Sequence, residues 1–279
     1  MTPARADPPE AGERALDRLL AEMGSVVVAF SGGVDSAYLA VRARDVLGPR
    51  TLAVTADSAS LAGEQRDLAA RVAAEFSLAH RFVHTGELDN PEYARNDTQR
   101  CYHCKTELFR HLVPLAAREG FVHVAYGLVL DDLGDFRPGH RAAAEAGVRS
   151  PLAEAGLDKE DVRALSRAMG LPTWDLPASP CLSSRVAYGV AVTPAVLRNV
   201  ERAEAAVRAL GFREFRVRHL GRGARIEIAP AEMERLSEAG VRRAVEDAVR
   251  AAGYAEAAVD AEGYRRGRLN EVLPGLARS

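Results

Sequence analysis

Lysine is almost missing from this chain. Of 37 basic residues only Lys105 and Lys159 are lysine, and the remainder are arginine. With a formal net charge of −2, that leaves no lysine cluster and no global charge to draw nucleic acid or an anionic membrane. The arginine bias, alongside abundant alanine, reads as codon composition, so a single arginine carries little information. Cysteine is scarce too: three residues, an odd number, do not make the disulfide framework of a small secreted protein. No stretch approaches the roughly 20 apolar residues that a membrane-spanning helix requires. Met1 to Glu10 is proline-rich and lacks the apolar centre of a signal peptide, so a cytoplasmic protein is expected. Internal repeats are absent.

What the chain does have is a strong start. Val26-Val27-Val28-Ala29-Phe30 reads as a strand buried on both faces. It runs into Ser31-Gly32-Gly33-Val34-Asp35-Ser36, and then into a helical stretch stopped by Gly48-Pro49. Two glycines permit a turn closed to other residues, and a helix beginning there aims several free N–H groups at one point. That is a phosphate site. It holds no lysine and no Walker spacing; instead it resembles the PP-loop of the ATP pyrophosphatases, matching S-G-G-x-D-S at every fixed position. The resemblance implies cleavage of ATP between the α and β phosphates.

The 279 residues, 47% hydrophobic and 27% charged, suffice for one large or two modest domains. Strand candidates near 52–56, 81–84 and 121–126 alternate with helices over 11–23, 62–76 and 101–118, which predicts an α/β, doubly wound parallel sheet. Ligands in such sheets lie beyond the strand C-termini, where the PP-loop, Thr55-Ala56, the Cys101 region and Gly127 all fall. After an extended, proline-rich stretch to Arg185 the rhythm changes. A helix from Thr193-Pro194, a hairpin of 215–220 with 224–228, a helix over 241–252 and a strand near 257–259 predict a small α+β domain. The expected division is 1–187 and 188–279.

Further motifs narrow the resemblance. Arg100-Cys101-Tyr102-His103-Cys104-Lys105, then Asp131-Asp132-Leu133-Gly134-Asp135-Phe136-Arg137-Pro138-Gly139, Ser179-Pro180-Cys181-Leu182-Ser183-Ser184-Arg185 and Gly263-Tyr264-Arg265-Arg266-Gly267 follow the PP-loop in order. Together they resemble the LarE family of ATP-dependent sulfur transferases, which serve synthesis of the nickel-pincer cofactor of lactate racemase. One departure is visible: where the family has G-T-N, Gly127 is followed by Leu128-Val129. The resemblance implies adenylylation of a carboxylate on a pyridinium-3,5-dicarboxylate mononucleotide, displacement of AMP by sulfur, and a homo-oligomeric assembly. It also implies an adenine nucleotide alpha hydrolase-like fold.

On this basis ATP is expected at Ser31, Gly32, Gly33, Val34, Asp35, Ser36, Thr55, Ala56, Gly127 and Arg137. Mg²⁺ is expected on Asp35, with Asp131, Asp132 and Glu204 as further candidates. Asp35 could instead cap the helix, the Asp pair could be a solvated loop, and Glu201 competes with Glu204. Lys105 is a candidate phosphate or carboxylate contact. Arg216 and Arg218, two apart on a strand and so on one face, are expected with Arg265 to hold the substrate phosphate; an exposed charged face is the rival reading.

The cysteines leave two routes open. Cys181 alone fits sacrifice of its own sulfur, leaving dehydroalanine. Cys101, Cys104 and Cys181 together fit a [4Fe–4S] cluster with one iron free for hydrosulfide. A structural zinc site and plain thiols are the simpler alternatives. A tRNA-thiolating relative, or a non-catalytic nucleotide- or iron–sulfur-binding one, are the competing functions.

Overall fold

The computed structural model describes residues 9–134, 138–177, 180–265 and 268. Contacts divide the chain into two units. One takes residues to Glu87 and then from Cys101 to Ser179; the other takes Leu88–Arg100 and the chain from Pro180 onward. The stretches 88–100 and 180–187, expected with the first domain, therefore lie with the second unit.

In the first unit, β1 (Val26–Ala29), β2 (Thr51–Asp57), β3 (His80–His84) and β4 (His123–Tyr126) form a sheet in the order β3-β2-β1-β4. Every pair is parallel, with Val26 opposite Thr51 on one side and His123 on the other. Chain order reverses between β1 and β4, and the crevice of a doubly wound sheet opens at such a reversal. The helices are α1 (Pro9–Met23), α2 (Val34–Leu47) and α3 (Gly63–Glu75), with α5 (Arg100–Arg118) following after α4 (Pro91–Ala94), which belongs to the second unit. Then come α6 (Pro138–Glu145), α7 (Pro151–Glu154) and α8 (Lys159–Ala168). Apolar side chains cover both sheet faces. Val26 and Val28 pack with Leu39 and Leu165 on one face, and Val27 and Val54 with Leu112 on the other. That explains why β1 is apolar throughout. Helix α8 opens with a reciprocal cap: Asp158 accepts from Asp161 N–H at 2.8 Å, and Asp161 accepts from Asp158 N–H at 3.2 Å.

The second unit holds α9 (Pro194–Ala209), β5 (Phe215–His219), β6 (Gly223–Ile228), α10 (Val241–Ala251) and β7 (Glu256–Val259). Strands β5 and β6 form the expected hairpin and β7 joins β6 in parallel. Its own core includes Val207, Phe212, Val217, Ile226, Val245 and Val249. The segment 88–100 contains α4 and is bound into this unit. Asn96, fully buried and in a left-handed conformation (φ 60°), donates its amide to the carbonyls of Val186, Ala187 and Val190. Tyr93 O–H pairs with Ser183 Oγ at 2.7 Å.

Candidate functional site

The loop after β1 has the form its sequence predicts. Gly32 sits at φ +72°, and a Cβ there would lie 2.8 Å from Ala69 Cα, so glycine is required for both conformation and space. Ser36 Oγ receives Ser31 N–H at 3.1 Å and meets Ser31 Oγ at 3.0 Å, which closes the loop on itself. Gly33 is the N-cap of α2 and carries no side-chain cap. The first turn of α2 thus has no capping side chain to compete with an anion for its amides. Gly127, just after β4, backs this turn so closely that a Cβ would come within 2.8 Å of Ser36 N and 2.9 Å of Asp35 C.

Asp35 is not the helix cap. One carboxylate oxygen, Oδ2, is paired with the ammonium of Lys159, while the other, Oδ1, is buried without a hydrogen-bond partner. An orphaned carboxylate oxygen beside an amide cradle fits a cation that bridges it to phosphate oxygens. Lys159 N–H in turn donates to Asp131 Oδ2 at 2.8 Å, so Asp131 secures the start of α8. Asp132 accepts from Val129 N–H at 3.4 Å. Of the Mg²⁺ candidates in the first unit, Asp131 thus secures the start of α8 and Asp132 its own loop, while Asp35 keeps one oxygen without a partner; Lys159 is the residue the sequence reading missed. Its signal was rarity, as one of two lysines.

Thr55, at the end of β2, donates its hydroxyl to Phe30 C=O at 2.7 Å and meets His80 Nε2 at 2.8 Å, so its side chain belongs to the sheet edge. Ala56 beside it is half-buried. Burial holds His80 below the ordinary imidazole pKa. Lys105 lies on α5 with its ammonium 5.9 Å from the rings of Phe109 and Tyr126, at the C-terminal end of β4. Leu128 and Val129, which replace the two polar residues of G-T-N, are buried at 4% and 1% exposure. They pack into the interior rather than pointing polar atoms at a nucleotide. Arg137 lies outside the described residues.

In the second unit, Arg216 and Arg218 are 7% and 6% exposed. The exposed-face alternative fails, because the whole of β5 is buried. Both line a cavity of about 140 Å³ together with Arg100, Ser184, Tyr188 and Tyr264. Arg265 is half-exposed, 3.9 Å from Glu262, and it is the adjacent Tyr264 that faces the cavity and lies under the Arg216 guanidinium. Glu204 is paired with Arg185 through both oxygens (3.0 and 3.2 Å) and accepts Val217 N–H. It is a buried structural carboxylate in this arrangement, with its oxygens taken.

Cys181 is half-buried at the head of a short 3₁₀ turn, its carbonyl held by Ser184 N–H (2.9 Å), Ser184 Oγ (2.7 Å) and Arg185 Nη1 (3.3 Å). Cys101 and Cys104 fall in the first turn of α5, three residues apart and hence on one side of the helix. None of the three is in a disulfide. Among the described residues no group of three or more His, Cys, Asp or Glu side chains is gathered to hold a metal ion. Cys101 and Cys104 belong to the first unit and Cys181 to the second. No described helix is long and apolar enough to cross a membrane.

No profile of a known protein family matches the chain. Individual proteins do. An uncharacterized protein of Synechocystis sp. is 43% identical over 92% of this chain and 96% of its own length. An uncharacterized protein of Methanocaldococcus jannaschii is 25% identical over 73% and 77%. The pyridinium-3,5-bisthiocarboxylic acid mononucleotide synthase of Lactiplantibacillus plantarum is 35% identical over 91% of this chain and 92% of its own. That match runs through both units, the amide cradle and the arginine cavity alike, and it places the chain in the LarE family of pyridinium-3,5-bisthiocarboxylic acid mononucleotide synthases.

Proposed function

We propose that the chain is an ATP-dependent sulfur transferase that converts a carboxylate of a pyridinium-3,5-dicarboxylate mononucleotide to a thiocarboxylate. The observation that carries this reading is the uncapped first turn of α2 at the sheet's switch point, with Asp35 Oδ1 left without a partner beside it. The name of the Lactiplantibacillus plantarum relative supports the substrate and the sulfur chemistry.

The amides of Gly32 to Ser36 receive the phosphates that leave, with the Ser31 and Ser36 hydroxyls beside them. Mg²⁺ on Asp35 would neutralise the phosphate charge that accumulates as the α–β bond breaks. The substrate carboxylate oxygen attacks the α phosphorus, pyrophosphate departs, and AMP remains on the carboxylate. A carboxylate oxygen is a poor leaving group, whereas AMP is a good one, so a sulfur nucleophile can then attack the carbonyl carbon while AMP leaves with the C–O electron pair. Arg216 and Arg218 hold the substrate phosphate.

The sulfur is assigned to Cys181. Once its Sγ is joined to the substrate, loss of the Cα proton breaks the Cβ–S bond, leaving dehydroalanine at residue 181. Chromatography of the nucleotide products tests the first half: AMP and pyrophosphate are expected, and ADP with phosphate would overturn it. Intact mass after turnover tests the second. A chain lighter by one H₂S is expected; an unchanged mass with continued turnover after anaerobic iron and sulfide reconstitution would replace Cys181 sacrifice by a cluster-borne sulfide.

A further inference from the structure

The cavity in the second unit has a third guanidinium in its wall. Arg100 is 6% exposed and stands at the end of the inserted segment 88–100. Its position is fixed from behind. Nη1 donates to Asn96 Oδ1 and, at 2.8 Å, to Ser183 C=O. Asn96 is itself pinned by the carbonyls of Val186, Ala187 and Val190. The guanidinium lies 5.8 Å from the ring of Tyr188, which also lines the cavity.

The other walls are basic as well. Arg218 reaches in while its Nε holds Glu227 at 2.8 Å and its Nη1 holds Ser184 C=O at 3.1 Å. Arg216 stacks 5.0 Å over Tyr264. The buried carboxylates of this unit are committed: Glu204 to Arg185, and Glu227 to Arg218 and Arg225. Burial, and next the charge of Arg185, hold the Arg216 guanidinium below its ordinary pKa. Three buried guanidiniums on the wall of one cavity suit an anion there. A cavity of about 140 Å³ is of the size that takes one benzene-sized group, which suits a phosphate group and its ester carbon.

We propose that Arg100 is a third guanidinium of a phosphomonoester subsite and makes the enzyme select a mononucleotide over its nucleoside. The assignment rests on the reading that Arg216 and Arg218 hold the substrate phosphate. Three planar forks on one cavity wall match the three terminal oxygens of a dianionic phosphate in number, whereas a carboxylate or sulfonate would leave a donor or a charge unmatched. Arg100 is a binding residue here and takes no part in the bond changes.

Calorimetric titration of the full chain with the pyridinium-3,5-dicarboxylate mononucleotide, and separately with the corresponding nucleoside, tests this. Arg100→Gln is expected to weaken the mononucleotide by about 10- to 100-fold, the worth of a hydrogen bond to a charged group. Nucleoside and ATP affinities should stay as they were, and Arg100→Lys should recover part of the loss. Equal weakening of mononucleotide and nucleoside would make Arg100 a brace for Ser183 alone and overturn the proposal; so would no weakening of either. If Arg100→Gln does not fold, Arg100→Lys decides, since the ratio of mononucleotide to nucleoside affinity must still fall. Arg216→Gln separates the two readings. If it weakens the mononucleotide and Arg100→Gln does not, only the Arg100 assignment fails; if neither does, the phosphate reading itself fails.

Discussion

In the first unit the anion site is made of main chain: glycine conformations, helix amides and one unpaired carboxylate oxygen, with Gly127 pressed against the turn. In the second it is made of side chains: buried arginines on a strand and a segment end, steadied by buried glutamates and tyrosines. The difference separates two costs. A backbone cradle carries no net charge and needs no counter-ion when empty, but it tolerates almost no change of shape. An arginine pocket tolerates some change of shape, but its empty state must be held together by buried ion pairs whose loss is expensive.

The sharpest way to break the comparison is Gly127→Ala. The added Cβ would meet backbone atoms of Asp35 and Ser36 at under 3 Å, so the loop must move rather than a side chain. About a 100-fold loss of pyrophosphate release is expected, the scale of an ångström-sized misplacement, with little change in thermal midpoint. A fall in midpoint that matches the loss of activity would show the glycine to be a folding residue.

The second unit should respond in the opposite currency. Arg185→Ala leaves Glu204 buried and unpaired, and a loss of about 3–5 kcal/mol in urea unfolding is expected. Arg185→Met with Glu204→Met should cost less than the single change. If the single change costs under about 1 kcal/mol, the pocket is not held by its ion pairs and the contrast collapses.

The same logic separates the two residues that depart from the family's G-T-N. Val129 is 1% exposed and packs in the first core, so Val129→Asn buries an amide there. A loss of about 1–3 kcal/mol is expected in the same assay, with no gain in ATP affinity. Tighter ATP binding would show instead that the loop lost a nucleotide contact.

The smallest effect concerns His80. Its folded-state pKa is lowered by burial, so the folded state binds its proton later than the unfolded chain does. Stability is then complete above the unfolded imidazole value of about 6.5 and is lost as pH falls below it. His80→Gln keeps a donor for Thr55 and removes the titration, so stability measured from pH 7 to 5 should fall less steeply. His219, lowered by burial in the same direction, keeps part of the slope in the variant.

How much of this was legible in the sequence follows the same division. The cradle could be read because its requirements are local: Gly32, Gly33 and Ser36 lie within one turn, and a valine-rich strand precedes them. Gly127 was legible as a strand end, though not as the backing of the loop, since its neighbour there lies 91 positions earlier at Ser36. In the second unit Arg216 and Arg218 showed by their spacing, but Arg100 did not, because one arginine among so many carries no signal. Lys159 went unread for the reverse reason: it was rare, yet its partner Asp35 lies 124 residues away. That 88–100 joins the second unit was not legible, because composition marks Asn90 to Arg100 as a polar loop, while Asn96 and Tyr93 find their partners about 90 residues further on.

That last separation has a bearing on how the protein is made. Tyr93 and Asn96 leave the ribosome long before Ser183 and Val186, and at 5–20 residues per second the wait is roughly 5–20 s. β4 emerges about 30 residues into that interval, so the first sheet has all four strands while the segment between β3 and α5 still waits for Ser183 and Val186. The first unit ends at Ser179 and needs only chain made before Pro180, whereas the second needs both the insertion 88–100 and the chain from Pro180 onward. Translation thus delivers the first unit before the second, and a gene cut at residue 188 would separate Arg216 and Arg218 from Arg100, Ser184 and Val186 of the same cavity wall.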